Sequence, residues 1–228
     1  KNANVVFADA DIERAAAAAV GSGFGNAGQS CSARSRILVE RSALPAFETA
    51  FVEAARRLTF GSPEDAATSL GPLISAGHRE RVAMNVAAAR EAGADLIAGG
   101  VVPDGEGFFY PATILSQVDA ANPAFTREMF GPVCSITPFD DEAQAIGLAN
   151  DSEYGLNGAV WCRDIGRALR VTRAMRTGMV AVNGLPSASK TSVYGPFGGY
   201  KRSGIGRELG MHALAFYSEI KRVTVDLA

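Results

Sequence analysis

Histidine occurs only twice in this chain of 228 residues and cysteine three times, and that scarcity removes several function classes at the outset. His78 and His212 are far apart in sequence and no C-x-x-C pair occurs, so no metal site is expected. An odd number of cysteines without framework spacing argues against a disulfide-stapled secreted domain and for a reducing, cytoplasmic compartment. Neither sign of charge dominates: 22 basic residues face 24 acidic ones, the net charge is -2, and no Lys/Arg block is present. A nucleic-acid or anionic-membrane partner is therefore not expected. The longest apolar runs, such as residues 15–20, fall far short of the ~18 residues of a membrane-spanning helix. No signal-peptide pattern opens the chain. G-x-S-x-G, the Walker sequence and internal repeats are also missing.

What is present suits a globular domain. With 47% hydrophobic and 20% charged residues, the chain has enough apolar surface for one sizeable core. Strand-like and helix-like periods alternate along it. Strands are expected at residues 4–7, 36–40, 96–98, 108–115, 133–139, 158–162 and 179–183. Helices are expected from Asp9 or Asp11 through the alanine run toward Gly23, and at residues 44–58, 77–92, 141–150 (capped by Asp140) and 165–176. The nearly uniformly apolar run at 179–183 suits a strand buried on both faces. This alternation predicts an α/β fold, an open and mostly parallel sheet covered by helices, with active loops at the carboxyl ends of the strands.

Two segments break the pattern. Residues 184–206 form a long Gly/Ser/Pro-rich loop carrying Tyr194, Phe197 and Tyr200, either a functional loop or a solvated linker. In residues 222–227, Val223, Val225 and Leu227 alternate with polar residues, as in an exposed edge strand without a partner.

The sharpest chemical signal is Phe24-Gly25-Asn26-Ala27-Gly28-Gln29-Ser30-Cys31-Ser32-Ala33, which sets one thiol among small and polar residues after an alanine-rich helix. A reactive thiolate needs water, backbone donors and room for an electrophile, and Gly25 and Gly28 are expected to supply the room. Gly23 to Gly28 also spells G-x-G-x-x-G. That fingerprint requires a strand before it and a helix after it, whereas here a helix precedes, so these glycines belong to the cysteine loop. Cys134, in an apolar strand, and Cys162, at a strand end, read as buried packing residues. Activation of Cys31 needs a base or an anion-stabilising loop, because an ordinary thiol of pKa ~8.5 is only slightly ionised at neutral pH. Glu208 and His212 stand at i, i+4 on one predicted helix, which leaves a Cys-His thiol hydrolase or acyltransferase open.

The cysteine segment, F-x-N-x-G-Q-x-C-x-A, resembles the cysteine signature of the NAD(P)-dependent aldehyde dehydrogenases. Lys1-Asn2-Ala3-Asn4 with Asp9-Ala10-Asp11 is similar to the segment after that family's E-L-G-G-K sequence. Glu128-Met129-Phe130-Gly131-Pro132-Val133 is similar to its E-x-F-G-P-V segment. Residues 196–210 resemble P-F-G-G-x-K-x-S-G-x-G-R-E-x-G. The likeness runs in order from Lys1 to Leu227. It implies a catalytic domain over residues 1–220 and a C-terminal oligomerisation strand over 221–228 that reaches a neighbouring subunit in a homodimer or homotetramer.

The resemblance also implies roles. Cys31 is the nucleophile that attacks an aldehyde, its backbone amide helps hold the oxyanion, and a thiohemiacetal then gives a thioester as hydride passes to NAD or NADP. Glu128 holds the nicotinamide ribose hydroxyls, and Phe130 packs beside the nicotinamide. Phe197 forms an aromatic wall near the thiol. Glu208 either supports proton transfer from behind the site or is a helix-start charge paired with Arg207. The family's general-base glutamate would fall four residues before Lys1, with the oxyanion asparagine and the coenzyme domain also upstream. The chain is therefore expected to be the catalytic part of a longer polypeptide, inactive alone. A domain retained only for assembly is the non-enzymatic alternative.

Overall fold

In the computed structural model, which describes residues 1–184 and 194–228, the first half runs β1 (Ala3–Val6), α1 (Ile12–Phe24), β2 (Arg36–Glu40), α2 (Leu44–Arg56), α3 (Ala76–Glu91), β3 (Asp95–Ala98) and β4 (Thr113–Ser116). It continues through α4 (Pro123–Thr126), β5 (Val133–Phe139), α5 (Glu142–Asn150), β6 (Tyr154–Gly155), β7 (Asn157–Trp161), α6 (Ile165–Ala174), β8 (Met179–Val182), β9 (Tyr200–Lys201) and α7 (His212–Phe216). Seven strands form one sheet in the order β3-β4-β5-β2-β1-β7-β8. Every neighbouring pair is parallel except β3 with β4, as the alternating pattern predicts.

The sheet is covered because its helices carry small or apolar faces. α1 packs against α2 and reaches β1 and β5; α5 contacts β1 and β2, and α6 contacts β7. Gly23 lets α1 approach the sheet closely: a Cβ there would lie 2.4 Å from Cys134 Sγ of β5. Phe24 stacks on Phe51 of α2 with ring centroids 5.6 Å apart, closing that layer. Asp11 caps α1 by accepting from the Arg14 N–H at 3.1 Å.

Several expected elements differ in detail. Of the expected 108–115 strand only residues 113–115 pair, within β4, because Pro111 supplies no ladder N–H and Phe108 stands exposed. α5 is capped by Asp141, which accepts from the Gln144 N–H at 2.8 Å, while Asp140 turns outward to Arg41. β8 is half-buried along its length rather than buried on both faces, because it is the last strand of the sheet. Residues 222–227 adopt no strand among the described residues, and Val223, Val225 and Leu227 stand in solvent. The loop expected at 184–206 lies partly outside the described residues, at 185–193. Its remainder is held by β9, which pairs antiparallel with β6, and by Lys201, whose ammonium donates to the carbonyls of Asn150 and Ser152 at 2.8 Å each. Asn150 is the last residue of α5 and Ser152 lies just beyond its cap, where a cation is favoured.

Candidate active site

Cys31 reaches its position through a left-handed reversal. After α1 ends, Asn26 and Ala27 both have φ 53° and Gly28 has φ 69°, and this run turns the chain back toward the amino end of β2. Asparagine tolerates that region; alanine does so only at a cost. The missing Cβ of Gly28 makes room for protein backbone rather than for a ligand: a Cβ there would lie 2.0 Å from the Gly131 carbonyl oxygen. A Cβ on Gly25 would meet nothing within 4 Å. The expectation that both glycines clear space for substrate is thus corrected for Gly28, which lets two loops touch. The G-x-G-x-x-G stretch spans the end of α1 and this turn, with no strand before it.

The second loop carries Glu128 and Phe130 toward Cys31. Phe130 also has a left-handed φ of 49°. Its carbonyl accepts from Nε2 of the buried His78 at 2.7 Å, and the other ring nitrogen of His78 faces the Arg81 guanidinium at 3.2 Å. α3 therefore fixes the peptide that orients the Phe130 ring. Strained residues cluster on both loops where they meet, a distribution often found at functional sites.

Cys31, Glu128 and Phe130 line one cavity of about 200 Å³ with Lys1, Asn2, Tyr154, Leu156 and Ser203. Its walls are the segments leading into β1, β2, β5 and β7, so it opens at the amino ends of the parallel strands. This overturns the expectation of active loops at the carboxyl ends. The physical reason is that the cysteine loop leaves the end of α1, and a helix antiparallel to the strands delivers its C-terminus to their amino ends. Glu128 is exposed and Phe130 is 40% exposed, so both present open faces to the cavity. No hydrogen bond occupies the Cys31 N–H among the described residues, which leaves it available to an anion. Lys1 is half-buried, with its ammonium end enclosed and donating to the Ala124 carbonyl. Burial, aided by the nearby Arg36 guanidinium, lowers its pKa to about 7.

Phe197 and Glu208 are not among the residues lining this cavity. They pair with each other instead, each N–H donating to the other's carbonyl at 2.7 and 2.8 Å. The expected helix joining Glu208 to His212 does not form: α7 begins at His212, after Gly204, Gly206, Leu209 and Gly210, all with positive φ. Arg207 does not pair with Glu208 in an ion pair among the described residues; its guanidinium donates to the carbonyls of Gly199 and Gly206 and lies 5.3 Å from the Tyr200 ring centroid. His212 is exposed and does not line the Cys31 cavity, so the Cys-His arrangement finds no support. Sequence reasoning missed Lys1, Asn2, Tyr154, Leu156 and Ser203 as cavity residues. The available signal was a polar residue standing immediately before an apolar strand, as Asn2 does.

The other thiols are buried. Cys134 is inaccessible and burial pushes its pKa up to about 12; Cys162 is also shifted up, chiefly by burial and then by Asp9. Under limiting iodoacetamide at neutral pH, Cys31 should be labelled well before either, as peptide mapping would show. Preferential labelling of Cys134 would contradict the assignment. An unfolded thiol ionises near the ordinary value of 9.0 and the folded Cys134 only near 12, so its contribution is present below pH 9 and is lost as pH climbs toward 12.

The aldehyde dehydrogenase family model matches residues 1–223. The 2-aminomuconic semialdehyde dehydrogenase of Danio rerio is 42% identical over 232 residues, covering 99% of this chain and 47% of the relative. The betaine aldehyde dehydrogenase of Bacillus subtilis is 43% identical over 227 residues, covering 98% and 46%. Among solved structures, an NAD-dependent aldehyde dehydrogenase from Sinorhizobium meliloti superposes with a TM-score of 0.95 at 36% identity, covering 100% of this chain and 45% of that one. A betaine aldehyde dehydrogenase from Staphylococcus aureus in complex with NAD+ gives a TM-score of 0.89 at 41% identity, covering 95% and 43%. The chain thus spans about half the length of the relatives it matches.

Proposed function

This chain belongs to the aldehyde dehydrogenase family, and on that premise we propose that it forms the thiol-bearing part of an enzyme that oxidises a small-molecule aldehyde to a carboxylic acid with NAD or NADP. The observation that carries the proposal is the convergence of Cys31, Glu128 and Phe130 on one cavity from two separate loops. Cys31 Sγ is the nucleophile for the aldehyde carbonyl, and the unoccupied Cys31 N–H donates to the oxygen as negative charge develops there. The exposed Glu128 carboxylate suits a pair of ribose hydroxyls, and the open Phe130 face suits a flat nicotinamide ring, so both residues fit a dinucleotide. Such a cofactor supplies the hydride acceptor. Phe197 as a substrate wall and Glu208 in proton transfer stay in the proposal as what the family resemblance implies, although neither lines this cavity. The family's general base and coenzyme domain belong to the remaining half of the relatives' length, and the chain by itself is expected to be inactive.

The test is Glu128→Gln in the complete polypeptide. It should slow single-turnover NADH formation, by about tenfold or more, while the melting temperature barely changes, because an exposed cofactor contact is lost and no core contact is. An unchanged hydride step would remove Glu128 from the site.

No helix is long and apolar enough to cross a membrane among the described residues, and the proposed setting is a reducing cytoplasm in which Cys31 stays a free thiol. The complete protein is proposed to be a homodimer or homotetramer in which residues 221–228 add a strand to a neighbouring copy. The exposed Val223, Val225 and Leu227 are consistent with that. Deleting residues 222–228 should lower the sedimenting mass and the thermal stability together. A truncated protein that keeps both would rule the strand out as the assembly element.

A further inference from the structure

The cysteine loop has little secondary structure of its own, yet three consecutive carbonyls in it are held by two side chains from elsewhere. Asn2 Nδ2 donates to the carbonyl of Cys31 at 2.8 Å and to that of Ala33 at 2.8 Å. Asn157 Nδ2 donates to the carbonyl between them, Ser32, at 3.2 Å. The two asparagines are themselves linked, since Asn2 Oδ1 accepts from the Asn157 N–H at 3.0 Å. Asn157 Oδ1 accepts from the Arg34 guanidinium at 3.0 Å, which ties down the far end of the same loop. Asn2 is 7% exposed and Asn157 5%. These partners also dictate each amide's orientation: a flip would set NH2 against an N–H and an oxygen against carbonyl oxygens.

We infer that Asn2 and Asn157 are positioning residues for Cys31, a side-chain amide clamp that pins the thiol's loop to the amino ends of two adjacent strands. Asn2 directly precedes β1 and Asn157 opens β7, and these strands are neighbours in parallel register, with Ala3 opposite Gly158. The clamp is thus rooted in two interior strands of the sheet, each paired on both sides. By engaging the carbonyls of residues 31–33 it leaves the N–H and the thiol of Cys31 free to face the cavity. Glu128 and Phe130 arrive on a different loop, so the clamp sets the nucleophile without touching the proposed cofactor contacts. Misplacing a reacting atom by about 1 Å can cost on the order of a hundredfold in rate, which is the scale on which such a clamp acts.

The kinetic consequence rests on the dehydrogenase reading above; the effect on thiol reactivity does not. In the complete polypeptide, Asn2→Ala should lower kcat about a hundredfold with KM for NAD unchanged, and Asn157→Ala should act in the same direction less strongly. Asn2→Asp keeps the shape but replaces the NH2 donors by an oxygen facing two carbonyls. A clamp of donors predicts that Asp is no better than Ala, whereas a packing role predicts near wild-type activity for Asp. Independently, limiting iodoacetamide should react with Cys31 at a rate changed by about threefold or more in Asn2→Ala, with Cys134 and Cys162 unchanged. Labelling that rises at all three thiols together would mark loosening of the whole fold and overturn the proposal, as would unchanged kcat and Cys31 reactivity in both alanine variants. Should the wild-type polypeptide form no NADH with any aldehyde, the dehydrogenase reading fails, and the labelling comparison still decides the clamp. If Asn2→Ala does not fold, Asn157→Ala decides by the same two measurements.

Discussion

Replacing Cys31 by alanine in the complete polypeptide should reduce aldehyde-dependent NADH formation by on the order of 10⁴- to 10⁶-fold, the scale seen when a covalent nucleophile is removed. The melting temperature should hardly move. Both parts follow from where the side chain sits. Cys31 is exposed in a turn and fills no core space, so its removal leaves no apolar cavity behind. Its sulfur is also the one thiol that an electrophile can reach, since Cys134 and Cys162 are buried behind the sheet's side chains. Neither can therefore substitute for it. Cys31→Ser is a useful companion, because a hydroxyl of similar size keeps the polarity of the turn but is a far weaker nucleophile at neutral pH. Retention of more than about one part in a hundred of the wild-type rate by the alanine variant would exclude Cys31 as the covalent nucleophile. Steady-state NADH absorbance, with a thermal melt on the same sample, provides the comparison.

Gly28→Ala should have the largest effect on stability of any single methyl added to the site. Gly28 has φ 69°, and its new Cβ would lie 2.0 Å from the Gly131 oxygen, 2.3 Å from the Gly131 carbonyl carbon and 2.9 Å from the Pro132 nitrogen. These are backbone atoms, which cannot swing aside as a flexible side chain would. Left-handed strain and overpacking together point to a loss of about 2–5 kcal/mol. The clash also falls between the loop carrying Cys31 and the loop carrying Glu128 and Phe130, so activity should drop even in the fraction that remains folded. Gly25→Ala is the control: three residues away, it has φ -51° and nothing within 4 Å of the new Cβ. Its effect should stay within about 0.5 kcal/mol. Equal melting temperatures for the two variants would show that the close approach of Gly28 to Gly131 is not needed.

Much of this protein is legible in its sequence. Local patterns decided the class of fold: apolar runs at β1, β2, β5 and β7 alternate with helical periods, and parallel strands buried on both faces leave that trace directly. The distinction among the three thiols was legible for a similar reason. Small and polar neighbours surround Cys31 whereas apolar ones surround Cys134, and exposure follows the company a residue keeps along a short segment. The end of the sheet at which the site opens followed from the order of elements, since a thiol placed after a helix and before a parallel strand falls at the strands' amino ends; which four strands would stand side by side around it was not legible, because they come from distant parts of the chain. Nor was the failure of Glu208 and His212 to share a helix, where several left-handed residues outweigh an i, i+4 spacing. Asn2 and Asn157 are the clearest instance. They are separated by 155 positions, and each by itself is an ordinary polar residue beside a strand. Only the pairing of β1 with β7 brings their amides onto the carbonyls beside Cys31, since hydrogen bonds between residues so far apart exist only once the sheet has formed.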